Sequence, residues 1–411
     1  MPIGYEEYKT VMSEAQQARE HIAEQLVSYP ELFPAGMQEG YKLNGWTEVS
    51  KKMPEVRLRR IRLLPENDAG QKLAYTLTPC DLLPYMTGMV SDVEKALFLK
   101  QFGVPDWGLT YVFGRNDSYW YRQTEAFGKY NLVGTTVKDE EKMPPDLLAD
   151  EKHAKAHSGK WYIGMTVGQD CVLGASVSPT ADGEGLTAAY QVFKEEAQQL
   201  VPDYQPNTVN TDGWAATSKA WQTLFPTVTV VLCFLHAFIK IRSRCKRLGE
   251  YYDQIKEQVW DIYHAVDPSV FKQRVETLQQ WTLKHRHRLT TAAIEALDKL
   301  CQRTDHYCVA YDHPTAYRTS NMLDRHMEPL ARWLAGGRYF HGHLQTAELR
   351  TRAWALLHNY RPYCPRANVS QTFMSPAHKL NGFVYRDNWL ENLLVASSCQ
   401  GFRFSHKKRQ N

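Results

Sequence analysis

The fold is decided between Leu147 and His236, in two segments that read LLADEKHAKAHSGKWYIGMTVGQDCVLGASVSP (147–179) and NTVNTDGWAATSKAWQTLFPTVTVVLCFLH (207–236). Each segment contains an aspartate beside an apolar or β-branched run. Asp150 follows the pair Leu147–Leu148, and Asp212 follows Val209-Asn210-Thr211. The predicted elements of the rest of the chain are described relative to these two acids.

The pattern around the two acids predicts a mixed α/β core. Aromatic and β-branched residues indicate strands, and the spacing of apolar residues indicates helices. The turn at 168–170 is short enough to join two strands as an antiparallel hairpin. After the Asp150 strand we predict, in order, strands at Lys160–Val167 and Cys171–Ser178, a helix at Leu186–Val201, a strand at Pro206–Thr211, a helix at Trp214–Leu224 and a strand at Thr227–Phe234, followed by a further helix.

This order of elements suits a metal-ion nuclease. Two carboxylates at neighbouring strand ends, joined by a third from a later helix, can hold two divalent cations that stabilise the attacking and leaving oxygens of a phosphoryl displacement. Mg²⁺ fits such a site because it prefers oxygen ligands. Taken singly, each acid is better explained otherwise: Asp212 as a turn residue, Asp150 as a helix cap and a later Asp324 as a surface charge. Taken together, in this order of strands and helices, the three acids favour the metal site.

Four motifs carry a resemblance to a known family: ADEKH…GKWYIG, TDGW, CFLH and TSNMLDRHMEPL. In this order they resemble the DDE/DDD transposases of bacterial insertion sequences, in the RNase H-like (retroviral-integrase) superfamily. The resemblance covers roughly residues 147–360. It implies a five-stranded mixed sheet flanked by helices, with a helical insertion before the last catalytic helix. It also implies a Mg²⁺ cofactor that Mn²⁺ can replace, double-stranded DNA as partner (element ends and target), and a homodimer or larger synaptic assembly.

The resemblance places the third acid on a helix that begins near Asn321. Many of these transposases have Glu three residues after such an Asn, where this chain has Asp324. The departure gives a DDD set, whose shorter third side chain requires a closer backbone. Glu328 lies four residues further on the same helical face and is the rival third ligand. We therefore expect Asp150, Asp212 and Asp324 to be catalytic and to bind the metal, with Asn321 in an auxiliary role.

Cys233 and His236 form a C-x-x-H motif of the kind that several transposase groups carry after the second acid. Zinc binding would need further ligands. Cys301, His306, Cys308 and His313 are available, but their spacing matches no zinc module. The favoured interpretation is a buried cysteine and a histidine that packs near or orients the active site, with contact between His236 and a phosphate as a further alternative.

The composition limits the class of protein. The chain has 411 residues, a net charge of +4 and eight cysteines without a disulfide framework, and the scattered cysteines predict a reducing cytoplasm. The family resemblance implies a bacterial, nucleoid-associated protein. No apolar run reaches about 18 residues, so no membrane partner is expected. We divide the chain into an N-terminal DNA-binding region (1–138), a linker (139–146), the first part of the core (147–241), a helical insertion (242–312), the last part of the core (313–360) and a C-terminal extension (361–411) with a basic tail at His406–Arg409; residues 367–399 read as irregular.

Basic residues predict where DNA would bind. Glu55–Leu64 reads as an arginine-rich strand that Lys72–Thr78 could pair with, and Tyr41–Lys52 as a turn-rich basic passage. Ser91–Gly103 and a second helix to Val112 form a helix-turn-helix-like pair, although an ordinary helical hairpin has the same pattern. The arginine strand also fits an edge strand with a solvated face. The candidate DNA contacts are Lys51, Lys52, Arg57, Arg59, Arg60, Arg62, Arg115, Arg122, Lys240, Arg242 and Arg244.

Three functions remain open on the sequence. The first is a transposase that cleaves the ends of a mobile element and joins them to target DNA. The second is a structure-specific nuclease with the same core, and the third is a transposase-derived DNA-binding protein without catalysis. Three intact acids at the expected places argue against the third.

Overall fold

The computed structural model describes residues 1–66, 70–157 and 159–402, which form an α/β protein with two separate sheets. The strands are β1 (Tyr41–Trp46), β2 (Arg59–Glu66), β3 (Lys72–Thr76), β4 (Asp146–Ala156), β5 (Gly159–Gly168), β6 (Cys171–Ser178), β7 (Thr208–Thr211) and β8 (Thr229–Leu232). The α-helices of the described residues are α1 (Tyr5–Ser13), α2 (Ala15–Ser28), α3 (Val90–Lys100), α4 (Asp106–Phe113), α5 (Asp117–Phe127), α6 (Leu132–Thr136), α7 (Gly183–Leu200), α8 (Ala215–Leu224), α9 (Phe234–Cys245), α10 (Glu250–Tyr263), α11 (Pro268–His285), α12 (Thr291–Gln302), α13 (Thr304–Cys308), α14 (Asn321–Gly336), α15 (Leu344–Tyr360), α16 (Pro376–Asn381) and α17 (Trp389–Ala396).

The larger sheet has five strands in the order β6-β5-β4-β7-β8, and it is mixed. β4, β5 and β6 pair antiparallel, whereas β4, β7 and β8 pair parallel. Gln169 and Asp170 both have positive φ (47° and 71°), as a tight hairpin turn between β5 and β6 requires. The parallel strands need longer crossovers, which α7 and α8 provide. The five-stranded mixed sheet predicted from the sequence, and the order of its elements, are confirmed.

Helices cover both faces of this sheet. On one face Tyr190, Phe193 and Trp221 of α7 and α8 pack against Leu147 and Ala149 of β4. On the other face, residues of α14 and α15, such as Leu323, Leu330 and Leu357, share a core with Leu148 and Met165. Successive residues of a strand point to opposite faces. Asp150 therefore lies on the α14 side of β4, and Glu151 on the α7–α8 side.

The segment between α9 and α14 is helical, as predicted for residues 242–312. Helices α10, α11, α12 and α13 bury a core of their own, which includes Ile255, Phe271 and Leu297. Leu232, Phe234 and Phe238 belong to the same core, so the end of β8 and the start of α9 anchor this helical unit to the sheet.

The N-terminal residues form a three-stranded antiparallel sheet with β2 in the centre, covered by α1 and α2. The edge-strand interpretation of the arginine-rich segment was therefore wrong, although its pairing with residues 72–76 is confirmed. Residues 41–46 form β1, where the sequence predicted a turn-rich passage. Leu43 lies opposite Ile61 in β2, and this long-range pairing leaves little local signal.

Helices α3 and α4 lie where the sequence placed the helix-turn-helix-like pair, and Gly103 between them has a φ of +86°. Val93 of α3 and Trp120 of α5 belong to the same hydrophobic core as Ile163 of β5. Helices before residue 139 therefore share a core with the sheet after residue 146. A domain boundary at residues 139–146 therefore stays a prediction. The last residue of this predicted linker, Asp146, is the first residue of β4.

The C-terminal extension is more regular than predicted. Residues 367–399 contain α16 and α17, and Leu390 and Leu393 are fully buried in the main core. Each helix is short, so too few apolar repeats exist to show a helical period. The predicted basic tail at 406–409 lies outside the described residues. Among the described helices, none combines the length and apolarity needed to cross a membrane.

A buried ion pair links α7 and α15, two helices that pack on the five-stranded sheet, and its removal is the first prediction. Arg352 of α15 pairs with Glu196 of α7, and both side chains are about 90% buried (10% and 11% exposed). Removing one partner of a buried pair costs roughly 3–5 kcal/mol, because the other charge stays buried. We expect Arg352→Met to lower the free energy of unfolding by about that amount in urea titrations.

The matched control is Arg332→Met, which removes an arginine from an exposed pair with Glu328. Exposed pairs contribute about 0–1 kcal/mol. Equal effects of the two substitutions would show that the Glu196–Arg352 pair does not hold α7 and α15 together.

Candidate metal centre

Two of the predicted acids lie on neighbouring parallel strands. Leu148 of β4 is paired with Asn210 of β7, and this register continues towards Asp150 and Asp212. Asp212 directly follows the last residue of β7, and its Oδ1 accepts the Trp214 N–H at 2.7 Å. Gly213 between them has a φ of +85°, which favours glycine at this turn. Both acids thus meet at one edge of the sheet.

The third predicted acid reaches the same edge from a helix. Asp324 lies in the first turn of α14, whose Leu323 packs in the core beside β4. Ligand atoms of Asp150, His236 and Asp324 all lie within 4.8 Å of one another, and the three side chains are partly exposed. Asp212 is outside this close group, although its charge is near enough to raise the pKa of Asp150.

The rival acid and the zinc alternative do not fit this geometry. Glu328 is exposed, and its Oε1 lies 3.3 Å from the Arg332 guanidinium. Of the two candidate third ligands, the structure brings only Asp324 to Asp150. Within the described residues, the close group around His236 is the one cluster of metal-ligating side chains, and it includes no cysteine.

The C-x-x-H motif connects α9 to the start of α14 through Ser320. The Ser320 N–H donates to Cys233 Sγ at 3.2 Å, and the Ser320 hydroxyl donates to Asp324 Oδ2 at 3.2 Å. The same hydroxyl lies 3.4 Å from His236 Nδ1. Ser320 is buried and orients the third acid, a role that sequence reasoning missed. Its position next to Asn321 was the available signal.

Burial and like charge shape the electrostatics of the group. Burial raises the pKa of Asp150 to about 6, and the charge of Asp212 adds to this effect. A hydrogen bond with Cys233 raises the pKa of His236 to about 9, against the effect of burial, and the charges of Asp150 and Asp324 contribute in the same direction. Without metal, the imidazolium of His236 therefore provides positive charge between the acids at neutral pH.

The donor set fits a divalent cation. Asp150 and Asp324 offer the carboxylate oxygens that Mg²⁺ prefers, and Asp212 stands beside them at the strand end. Mn²⁺ accepts the same oxygen donors. His236 adds an imidazole nitrogen once its proton is released, and imidazole suits transition metals better than Mg²⁺.

A second carboxyl lies behind the site, on the opposite face of β4. Glu151 Oε1 accepts hydrogen bonds from the Tyr190 hydroxyl at 2.8 Å and the Thr217 hydroxyl at 2.7 Å. Burial raises the pKa of Glu151 to about 7, although both hydrogen bonds oppose the shift. The sequence analysis missed Glu151, because strand alternation alone does not show that a polar residue faces a core.

Most candidate DNA contacts are exposed. Lys51, Lys52, Arg57, Arg60, Arg62, Arg115, Arg122, Lys240, Arg242 and Arg244 all present accessible side chains. Arg59 is the exception: it is 8% exposed, and its guanidinium lies 4.8 Å from the ring centre of Trp46. Arg59 packs within the small sheet and is not available to a DNA phosphate.

No known family model matches the chain, and no curated protein has a similar sequence.

The raised pKa of Glu151 gives a prediction about pH and stability. The folded protein holds this proton more tightly than the unfolded chain, so the associated stability is fully present below about pH 4.5 and lost as the pH rises through about 7. Glu151→Gln keeps an acceptor for Tyr190 and Thr217 but has no charge. In chelator, we expect the variant to gain stability relative to the wild type across this window, by up to about 3 kcal/mol.

The measurement is urea unfolding at a series of pH values. Glu184→Gln, which removes an exposed carboxylate from α7, is the control for the loss of one negative charge. A constant difference between Glu151→Gln and the wild type from pH 4.5 to 7 would contradict the assignment of this buried charge.

Proposed function

We propose that this chain is a transposase that cleaves DNA at the ends of a mobile element and transfers the strands to target DNA in a metal-dependent reaction. The observation that supports it is the close group of Asp150 on β4, His236, and Asp324 in the first turn of α14, with Asp212 just outside it at the end of β7. The strand order also supports an RNase H-like fold, because the first acid lies on the central strand and the second follows its parallel neighbour.

The chemistry follows from the charges at this edge. Divalent metal ions supply Lewis acidity, which activates water and stabilises the leaving oxygen of a phosphodiester. Asp150 and Asp324 face each other and hold the cation, and Asp212 provides a further carboxylate at the strand end. The Ser320 hydroxyl keeps Asp324 oriented towards Asp150. His236 lies within 4.8 Å of the carboxylates of Asp150 and Asp324: in the absence of metal its positive charge offsets theirs at neutral pH, and once its proton is released its imidazole can join them as a ligand.

The remaining parts of the proposal concern DNA and assembly. Arg60 and Arg62 alternate with the buried Ile61 and Leu63, so they form an exposed cationic face on β2 for the DNA backbone. Helices α3 and α4 form the helix-turn-helix-like pair. Since two element ends must be brought together, we propose a homodimer or larger assembly that works in the bacterial cytoplasm at the nucleoid.

A DNA-binding protein without catalysis is the second candidate. It is favoured by one observation, the position of Asp212 outside the close group of Asp150, His236 and Asp324. A structure-specific nuclease shares the same site and differs in having no strand transfer. Joining of a cleaved 3′ end to a second DNA distinguishes a transposase from both.

Substitution of the acids tests the proposal. Asp150→Asn, Asp212→Asn and Asp324→Asn keep the side-chain shape but remove an anionic ligand. Metal coordination contributes several kcal/mol to such a transition state, so we expect cleavage to fall by at least about 100-fold. The measurement is cleavage of labelled DNA with Mg²⁺ or Mn²⁺, and DNA binding in chelator should be preserved.

Glu328→Gln is the matched control on α14, because it removes a carboxylate outside the close group. It should leave cleavage close to that of the wild type, whereas Asp324→Glu should give partial activity. Full cleavage by Asp324→Asn, together with loss of cleavage by Glu328→Gln, would show that α14 supplies the third ligand through Glu328 and not through Asp324. Full activity of all three Asn variants would remove the metal-nuclease function.

A further inference from the structure

A cationic cleft opens beside the candidate metal centre. It has a volume of about 650 Å³ and lies between α9 and α12, a helix of the insertion. Asp212, His236, Lys240, Lys299 and Arg303 line it, together with apolar residues such as Ile239 and Leu300. Sequence analysis predicted a DNA contact for Lys240 alone. Lys299 and Arg303 come from the segment that it treated only as an insertion.

The three cations lie close together. The charges of Arg303 and then of Lys240 lower the pKa of Lys299, an exposed side chain. Arg303 lies against the turn that carries Asp212: a Cβ atom on Gly213 would be 2.8 Å from Arg303 Nη1. The cluster is therefore continuous with the strand end on which the second acid stands.

Protein carboxylates do not neutralise this cluster. Within the described residues, none of Lys240, Lys299 and Arg303 forms a salt bridge. Asp212 lies in the same cleft and partly opposes the lowering of the Lys299 pKa, but it is one carboxylate against three cations. Like charges placed together repel each other, so an anionic ligand that enters the cleft gains binding energy from all three.

We propose that this cleft binds a backbone phosphate of the DNA strand next to the phosphate that is cleaved. Each strand of duplex DNA carries a charge about every 3.4 Å along the helix axis, so one phosphate can lie at the acids while its neighbour lies in the cleft. The helical insertion then holds the substrate directly through Lys299 and Arg303. This inference rests on the proposed function, since it takes DNA as the substrate.

The test compares two double variants of the full chain. Lys240→Gln/Lys299→Gln removes both exposed lysines of the cleft, and Lys256→Gln/Lys284→Gln removes two exposed lysines of the insertion that do not line it. Each variant is titrated in chelator with a labelled DNA duplex and with one of its strands, over a series of salt concentrations. In the cleft variant only, we expect the slope of log affinity against log salt to become shallower by about 1 for each phosphate that the protein no longer neutralises.

Equal salt slopes for the cleft variant and the control variant would show that the cleft does not bind a DNA phosphate. Arg303→Gln is a third variant for the same titrations. Its melting temperature shows whether this half-buried residue also stabilises the fold. The lysine pair keeps the test valid if Arg303→Gln unfolds.

Cleavage by the wild type separates the two proposals. A shallower slope in the cleft variant, with no cleavage by wild type in Mg²⁺ or Mn²⁺, would support the cleft and reject the proposed function. Metal-dependent cleavage by wild type, with an unchanged salt slope in the cleft variant, would reject the cleft alone. If the wild type binds neither the duplex nor the single strand, both the cleft and the proposed function are rejected.

Discussion

The parallel pairing of β4 with β7 is the constraint on which the candidate site depends. The pairing of Leu148 with Asn210 directs Asp150 and Asp212 to the same edge of the sheet. A shift of one residue would move Asp150 to the face where Glu151 now lies, because strand side chains alternate. The apolar residues on both sides of β4 prevent such a shift, since Leu147 and Leu148 are each fully buried against different helices.

This register concentrates negative charge, and the structure shows how that charge is held. Asp150 and Glu151 lie in the middle of β4, Asp212 directly follows the neighbouring strand β7, and the pKa values of Asp150 and Glu151 are raised chiefly by burial. His236 supplies the opposing charge, and it is kept in place by Cys233 and Ser320. A site that accumulates carboxylates at a stability cost is one that a cation would relieve. The same polar residues orient Asp324, so the C-x-x-H motif and the third acid form one unit.

The elements of the core were predictable because their signals are local. Strands β5 and β6 show continuous β-branched and aromatic runs, and α7 shows a long helical period. The sequence pointed to Asp150, Asp212 and Asp324 because each has recognisable neighbours in the chain, and the structure brings Asp150 and Asp324 close together. What the sequence did not reveal depends on long-range contacts. Ser320 meets Cys233 across 87 positions, and Arg303 reaches the turn at Gly213 from a different helical unit. β1 and α17 were missed because short elements depend on partners elsewhere in the chain.

The long separation between the second and third acids has a structural consequence. The chain leaves the sheet at Cys233 and returns at Ser320, where the Phe234 N–H donates to the Arg318 carbonyl at 3.1 Å. The insertion therefore begins and ends at the same point, and Arg318 packs between the rings of Tyr263 and Tyr311 at its base. Asp150 and Asp324 lie outside this excursion, on β4 and α14. Lys299 and Arg303 reach the cleft from α12 and the residue that follows it, and α12 packs in the same core as α9. Two of the three cations, Lys299 and Arg303, thus belong to the helical insertion, whereas Lys240 and the carboxylates belong to the core.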